Sequence, residues 1–282
     1  MTDNKIKALF FDIDGTLVSF KTHSIPQSTV DAIHKVRKNG IKVFIATGRP
    51  IPFIDNISAI EYDGIVSANG ACCISGENEL IRCSTVDTED LKSLAEYNKI
   101  HKFPIAFASE EDVFITSKNA ASDNVFKLLN VKPIEIKPIE ESFTKHIIQI
   151  IAFFNKEQEP EIMAGVLKNC YAHRWHPDFA DIISKGNSKS TGIDAMLAHY
   201  GIKLDESMAF GDGGNDISML KHAGIGVAMG NASEEVKNQQ ISLQLLLMKT
   251  ALHSCSIVWA YTNFKHINIP KTKVQIQHLR HI

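Results

Sequence analysis

The stretch FFDIDGTLV at residues 10–18 sets two carboxylates, Asp12 and Asp14, at the end of an apolar run. Ala8, Leu9, Phe10 and Phe11 read as the interior of a strand. Unpaired carboxylates are costly to desolvate, so a strand ending this way must deliver its acids to a site that something positive completes. In open α/β sheets such sites lie outside the carboxyl ends of the strands.

The rest of the chain suits a sheet of that kind. Ser28 to Lys38 reads as a helix with a partial apolar face (Val30, Ile33, His34, Val36), ended by Asn39-Gly40. IKVFIATG at 41–48 reads as a second buried strand, Pro50 to Ala59 as a short helix-like stretch, and GIVSANGA at 64–71 as a third strand. This βαβα order predicts a parallel sheet flanked by helices. From about Ile81 to Trp175 the pattern changes. Helical segments (Thr88 to His101, Ala120 to Leu129, Pro160 to Asn169) alternate with the apolar strands PIAFASE, DVFITS and KHIIQIIAFF. After Asp181 the first pattern resumes: helix Ser190 to Tyr200, strand SMAFGD, helix Asp216 to Ala223, strand GIGVAM. The expected fold is α/β, with a doubly wound, Rossmann-like parallel-sheet core at residues 1–80 and 185–240. An inserted α+β unit occupies 81–184, and an atypical tail occupies 241–282.

At 282 residues the chain holds one large domain or two ordinary ones. A net charge of -2 gives no reason to expect nucleic acid or an anionic membrane as partner. No run approaches the ~20 apolar residues of a bilayer span, and MTDNKIK lacks the apolar stretch of a secretory signal. Cys72, Cys73, Cys83, Cys170 and Cys255 lack zinc-type spacing and read as reduced thiols of a cytoplasmic protein.

Four segments at or near strand ends carry reactive groups: Asp12-x-Asp14, Thr47-Gly48-Arg49, Lys189, and Gly211-Asp212-Gly213-Gly214-Asn215-Asp216. Asp12, Asp212 and Asp216 can hold a hard, oxygen-loving cation such as Mg²⁺. Thr47, Lys189, Asn215 and the backbone N–H groups near Asp14 and Gly15 are donors suited to phosphate oxygens. A carboxylate can attack phosphorus and become an aspartyl phosphate, while a neighbouring carboxyl group moves protons.

These segments resemble, in order, the four motifs of haloacid dehalogenase superfamily phosphatases of the Cof type: FDIDGTL at 11–17, ATGR at 46–49, Lys189 within SKGNSKSTGI, and GDGGNDISML at 211–220. The resemblance covers roughly residues 6–240. It implies a Mg²⁺-dependent phosphatase acting on a small phosphorylated substrate, with sugar phosphates the expected class. Asp12 would be the nucleophile and Asp14 the general acid and base. Thr47 and Lys189 would bind the phosphoryl group, with Asn215 supporting phosphate or Lys189. Asp12, Asp212 and the backbone carbonyl of Asp14 would coordinate Mg²⁺, with Asp216 acting on its shell. The insertion falls where the family carries a large cap, which would close over the substrate. A phosphosugar mutase and an inactive binder of phosphorylated metabolites are the alternatives.

Several residues carry two readings. Lys185 competes with Lys189, which is favoured because it just precedes a helix pattern. Asn69, in SANGA, is either a substrate contact or a turn residue. Gly48 belongs either to the phosphate loop or to an ordinary strand-end turn. His173, Arg174, Trp175 and His176 could recognise sugar hydroxyls, but a domain junction is the preferred reading.

After Gln240 the family pattern breaks. No Asp or Glu follows Glu235, and Lys, His and apolar residues dominate. Pairing each codon's third base with the next codon's first two, with permitted codon choices, turns QLLLMKTAL at 244–252 into Thr-Ala-Pro-Asn-Glu-Asp-Gly-Ile. That is close to the acidic turn such chains usually carry. We read residues from about Ile241 onward as an out-of-frame product. The gene's DNA tests this: the alternative frame must continue as a family-like carboxyl terminus.

Overall fold

The computed structural model describes residues 6–238 and the two-residue strands at 243–244 and 274–275. The tail expected to be out of frame therefore lies outside the described residues, apart from those two strands. Two sheets organise the described chain. The first contains β1 (Ala8–Phe11), β2 (Lys42–Ala46), β3 (Gly64–Ser67), β4 (Cys72–Ser75), β5 (Leu80–Cys83), β12 (Ser207–Gly211), β13 (Ile225–Ala228), β14 (Leu243–Gln244) and β15 (Val274–Gln275). Their order is β15-β14-β13-β12-β1-β2-β3-β4-β5, parallel from β15 to β3 and antiparallel at β3-β4-β5. The expected junction at residue 81 falls inside β5.

β1 is buried on both sides, which is why its sequence is a continuous apolar run rather than an alternating one. Leu9 and Phe11 join Val30 and Ile33 of α1 (Gln27–Lys38) on one face. Ala8 and Phe10 join the opposite cluster with Ile193, Met196 and Leu197. After β1 the chain winds outward through β2 and β3, then returns on the other side of β1 as β12 and β13. The strand order therefore reverses at β1, and the crevice outside the ends of β1 and β12 is where an open α/β sheet places its ligand. Asp12 follows β1 and Asp212 follows β12 directly.

The second sheet contains β6 (Ile105–Ala108), β7 (Val113–Ile115), β8 (Glu135–Ile136), β9 (Gln149–Ala152), β10 (Cys170–His176) and β11 (Phe179–Ser184), in the order β10-β11-β9-β6-β7-β8. Its side chains alternate between two clusters, as strand pleating requires. Ile105, Phe107, Ile150 and Ile182 face Leu91 and Leu94 of α2 (Thr88–His101). Ala106, Ile115 and Ile151 face Val125 and Phe126 of α3 (Ala120–Leu128), together with Phe53 from the segment between β2 and β3.

Two expected helices differ in form. Pro50 to Ala59 reduces to a single 3-10 turn at Ile51–Phe53, where Pro50 and Pro52 lack the N–H donors a helix needs. Pro160 to Asn169 becomes a short α turn, Glu159–Glu161, and a π turn, Ile162–Val166. The wider turn, closed by Leu167 N–H donating to Ile162 O at 2.8 Å, puts two residues five apart into one core cluster. The hairpin β10-β11 has no counterpart in the sequence-based expectation.

Candidate active site

Lys189 is the first residue of α4 (Lys189–Tyr200), and Ser188 caps that helix in a reciprocal box with Thr191. The cap fixes where the helix starts and so aims Lys189 into the crevice. Its ammonium is fully buried and bridges Asp12 Oδ1 at 2.6 Å and Asp216 Oδ1 at 2.5 Å. Burial alone would lower its pKa, but the two carboxylates reverse that and raise it. Lys185, the rival, is exposed and donates to the Lys168 carbonyl.

Asp216 is held on both oxygens. Oδ2 accepts from the N–H groups of Asp212 at 2.9 Å and Gly213 at 2.8 Å, which folds the GDGGND loop around it. Asp212 Oδ1 accepts from Thr16 Oγ1 at 2.9 Å, and its Oδ2 accepts from Asn231 Nδ2 at 2.9 Å. Asp12, Asp212 and Asp216 can bring one oxygen each within 4.8 Å of one another. Burial, and then mutual repulsion, pushes the Asp212 carboxyl up to about 7; burial also raises Asp12 well above the usual carboxylate range. When all three are ionised, three carboxylates against one ammonium leave two net negative charges. An all-oxygen donor set with that deficit fits a divalent hard cation.

Asp14 stands apart from this cluster. Its carboxylate is gripped by Arg49, through Nε at 2.7 Å and Nη2 at 2.8 Å. Thr47 and Gly48 line the cleft, and Thr47 Oγ1 accepts from the Arg49 N–H at 3.0 Å. Asn215 also lines it, with Nδ2 donating to Asn69 Oδ1 at 3.0 Å. Asn69 itself is buried in a left-handed conformation and is not among the cleft-lining residues; it steadies Asn215 from behind. The Gly15 N–H, expected to serve phosphate, instead donates to Val18 O at 2.8 Å.

The cleft over these residues has a volume of about 620 Å³. The second sheet supplies its far wall through Gln149, Ile151, His173, Arg174, Phe179 and Asp181. His173 and Arg174, read above as a domain junction, thus face the same space as Asp12 and Asp14. Sequence reasoning assigned no role to Arg49, Gln149, Asp181 or Asn231. A signal existed for Gln149, the lone polar residue within IIQIIAFF, and for Arg49, which closes ATGR.

The sequence model of haloacid dehalogenase-like hydrolases matches residues 9–240. The chain belongs to this family. "Putative phosphatase YkrA" of Bacillus subtilis is 30% identical over 237 residues, covering 82% of this chain and 89% of that protein. The solved structure of the subclass IIB sugar phosphatase BT4131 is 45% identical with a TM-score of 0.76, covering 82% of this chain and 90% of that one. Phosphatase BT1666 of Bacteroides thetaiotaomicron is 36% identical with a TM-score of 0.81, covering 94% and 97%. The protein is a phosphatase of this family, on the fold expected from its sequence. Among the described residues no helix is long and apolar enough to cross a membrane, and Cys72, Cys73, Cys83 and Cys170 are free thiols.

Proposed function

We propose that the protein is a cytoplasmic, Mg²⁺-dependent phosphatase that hydrolyses small phosphorylated metabolites, sugar phosphates foremost, through an aspartyl phosphate on Asp12. The observation that carries this reading is the Lys189 bridge between Asp12 and Asp216, two acids that line one cleft together with Asp212, which is within reach of both. Residues 81–184 would act as a cap over a core formed by 1–80 and 185–240. The resemblance to a sugar phosphatase, BT4131, supports the substrate class.

The residues divide the work as follows. An Asp12 carboxylate oxygen attacks phosphorus as the bond to the leaving oxygen breaks. Asp14 gives that oxygen a proton, then takes one from the water that attacks the phosphoenzyme; phosphate leaves and Asp12 is restored. Lys189 fixes the Asp12 carboxylate and offsets charge in the cluster. Thr47 and Lys189 bind the phosphoryl group, and Asn215 supports phosphate or Lys189. Mg²⁺, held by Asp12, Asp212, the Asp14 carbonyl and Asp216 directly or through water, would neutralise charge as the phosphoryl group transfers.

The test is phosphate release from sugar phosphates and p-nitrophenyl phosphate, with and without Mg²⁺, beside Asp12→Asn. Mg²⁺-dependent release lost in the variant is the expected result. A folded, monodisperse protein that releases no phosphate would overturn the reading.

A further inference from the structure

We propose that Gln149, His173 and Asp181 form a hydroxyl-reading subsite on the cleft wall opposite Asp12, selecting a neutral polyhydroxylated leaving group and turning away substrates with a second anionic group. The inference rests on the phosphatase reading above and narrows its substrate class.

Strand register assembles the subsite. Asp181 of β11 lies directly opposite His173 of β10 on one side and Ile151 of β9 on the other. Directly paired residues of antiparallel strands share a face, and Gln149, two residues before Ile151, shares it too. All four line the cleft.

Gln149 is fully buried, and its Nε2 donates to Asp181 Oδ1 at 2.8 Å. A carboxylate can only accept, so the amide's NH₂ must face Asp181 and its carbonyl oxygen must face away. Among the described residues that oxygen is enclosed without a partner, and so is His173 Nε2. Buried polar atoms are nearly always hydrogen-bonded, so two orphans on one wall of a ligand cleft mark contacts that a ligand makes. Burial, and then the Lys189 charge, lowers the His173 pKa, which favours the neutral ring. A carbonyl oxygen and a neutral imidazole suit hydroxyl groups, which both donate and accept.

The charges around the subsite disfavour a second anion. The two cleft-lining arginines among the described residues are committed. Arg49 holds Asp14 and the carbonyls of Phe53 and Leu129. Arg174 holds Glu159 and the carbonyls of Pro177, Phe179 and Phe154. Asp181 and Glu235 add negative charge. Phe53, Phe126 and Phe179 give the cleft an apolar side, suited to the C–H face of a sugar ring.

The experiment compares kcat/KM of the full-length protein for glucose 6-phosphate, its monodeoxy analogues, fructose 1,6-bisphosphate and hydroxyl-free p-nitrophenyl phosphate. The expected wild-type result is a loss of about tenfold or more for at least one deoxy analogue, and a similar bias against the bisphosphate. Gln149→Met and His173→Phe should each shrink the gap between parent and deoxy substrate. Wild-type protein that treats every deoxy analogue within about twofold of its parent, or prefers the bisphosphate, overturns the subsite. If p-nitrophenyl phosphate is still turned over in an Asp12-dependent way, the phosphatase reading survives that failure. Absence of all turnover fails both.

Discussion

Arg49 clasps Asp14 through two parallel hydrogen bonds, Nε to Oδ2 at 2.7 Å and Nη2 to Oδ1 at 2.8 Å. Its remaining donors reach Phe53 O at 2.9 Å and, across the cleft, Leu129 O at 3.2 Å. One guanidinium thereby ties the proposed proton carrier to the carboxyl end of α3. Arg49→Met should strand a half-buried carboxylate and two carbonyls, costing about 2 kcal/mol or more of stability. Arg49→Lys keeps the charge but not the fork, and should cost about half as much. Urea unfolding of both variants measures this; equal stability of all three proteins would show that the clasp contributes nothing.

Asp14→Asn separates the two proton transfers proposed for that residue. A sugar alcohol is a poor leaving group and needs an acid, whereas p-nitrophenolate leaves unaided. Turnover of sugar phosphates should fall about 100-fold or more. With p-nitrophenyl phosphate the first step should survive while hydrolysis of the phosphoenzyme slows, giving a burst of p-nitrophenolate near one equivalent. Rapid-mixing absorbance reads that burst. A variant slowed equally on both substrates without a burst would remove Asp14 from the proton chemistry.

The floor of the site was legible in the sequence because it is local. Asp12 and Asp212 each directly follow the strand that delivers them, and Lys189 sits at a helix start marked by its Ser188 cap. The cleft wall was only partly legible: His173 was weighed as a hydroxyl contact, but the residues that surround it meet through register. His173 and Asp181 pair across a hairpin whose sequence, HRWHPDFAD, lacks clean alternation, and Gln149 joins them from a third strand. Arg49 was visible in its motif, but its partner is 35 residues away and reached only when β1 and β2 pair. Asn69, read as a turn residue or a substrate contact, has a left-handed backbone, and its side chain accepts from Asn215.

Metal binding should be linked to pH. In the metal-free protein Asp212 is pushed up to about 7, first by burial and then by Asp216. The folded state therefore holds protons that the unfolded chain has already released, and this contribution to stability is lost as pH rises from about 4 through about 7. A cation needs the carboxylates ionised, so binding displaces those protons. EDTA-treated protein should lose Tm between about pH 5.5 and about pH 8, and the Tm gain from saturating Mg²⁺ should be larger at the higher pH. Calorimetry at the two pH values with and without Mg²⁺ tests this. A Mg²⁺ gain independent of pH would show that Asp212 is already ionised in the metal-free site.

Gly15 is where backbone conformation and the acidic cluster meet. Its φ is +85°, and a Cβ built there would lie 2.2 Å from Asp212 Oδ2. The same turn is fixed to that carboxylate by Asn231, whose Nδ2 donates at 2.9 Å to both Gly15 O and Asp212 Oδ2. Gly15→Ala should therefore push Asp212 out of place as well as strain the turn, costing about 1–3 kcal/mol. Asn231→Ala removes only the tether, and should weaken Mg²⁺ activation about tenfold with little loss of stability, as loss of an outer-shell partner does. Titrating activity against Mg²⁺ for both variants, alongside thermal unfolding, separates position from strain. If Asn231→Ala leaves the Mg²⁺ dependence untouched, Asp212 is held by Thr16 and its own loop alone, and the Gly15 effect reduces to the turn.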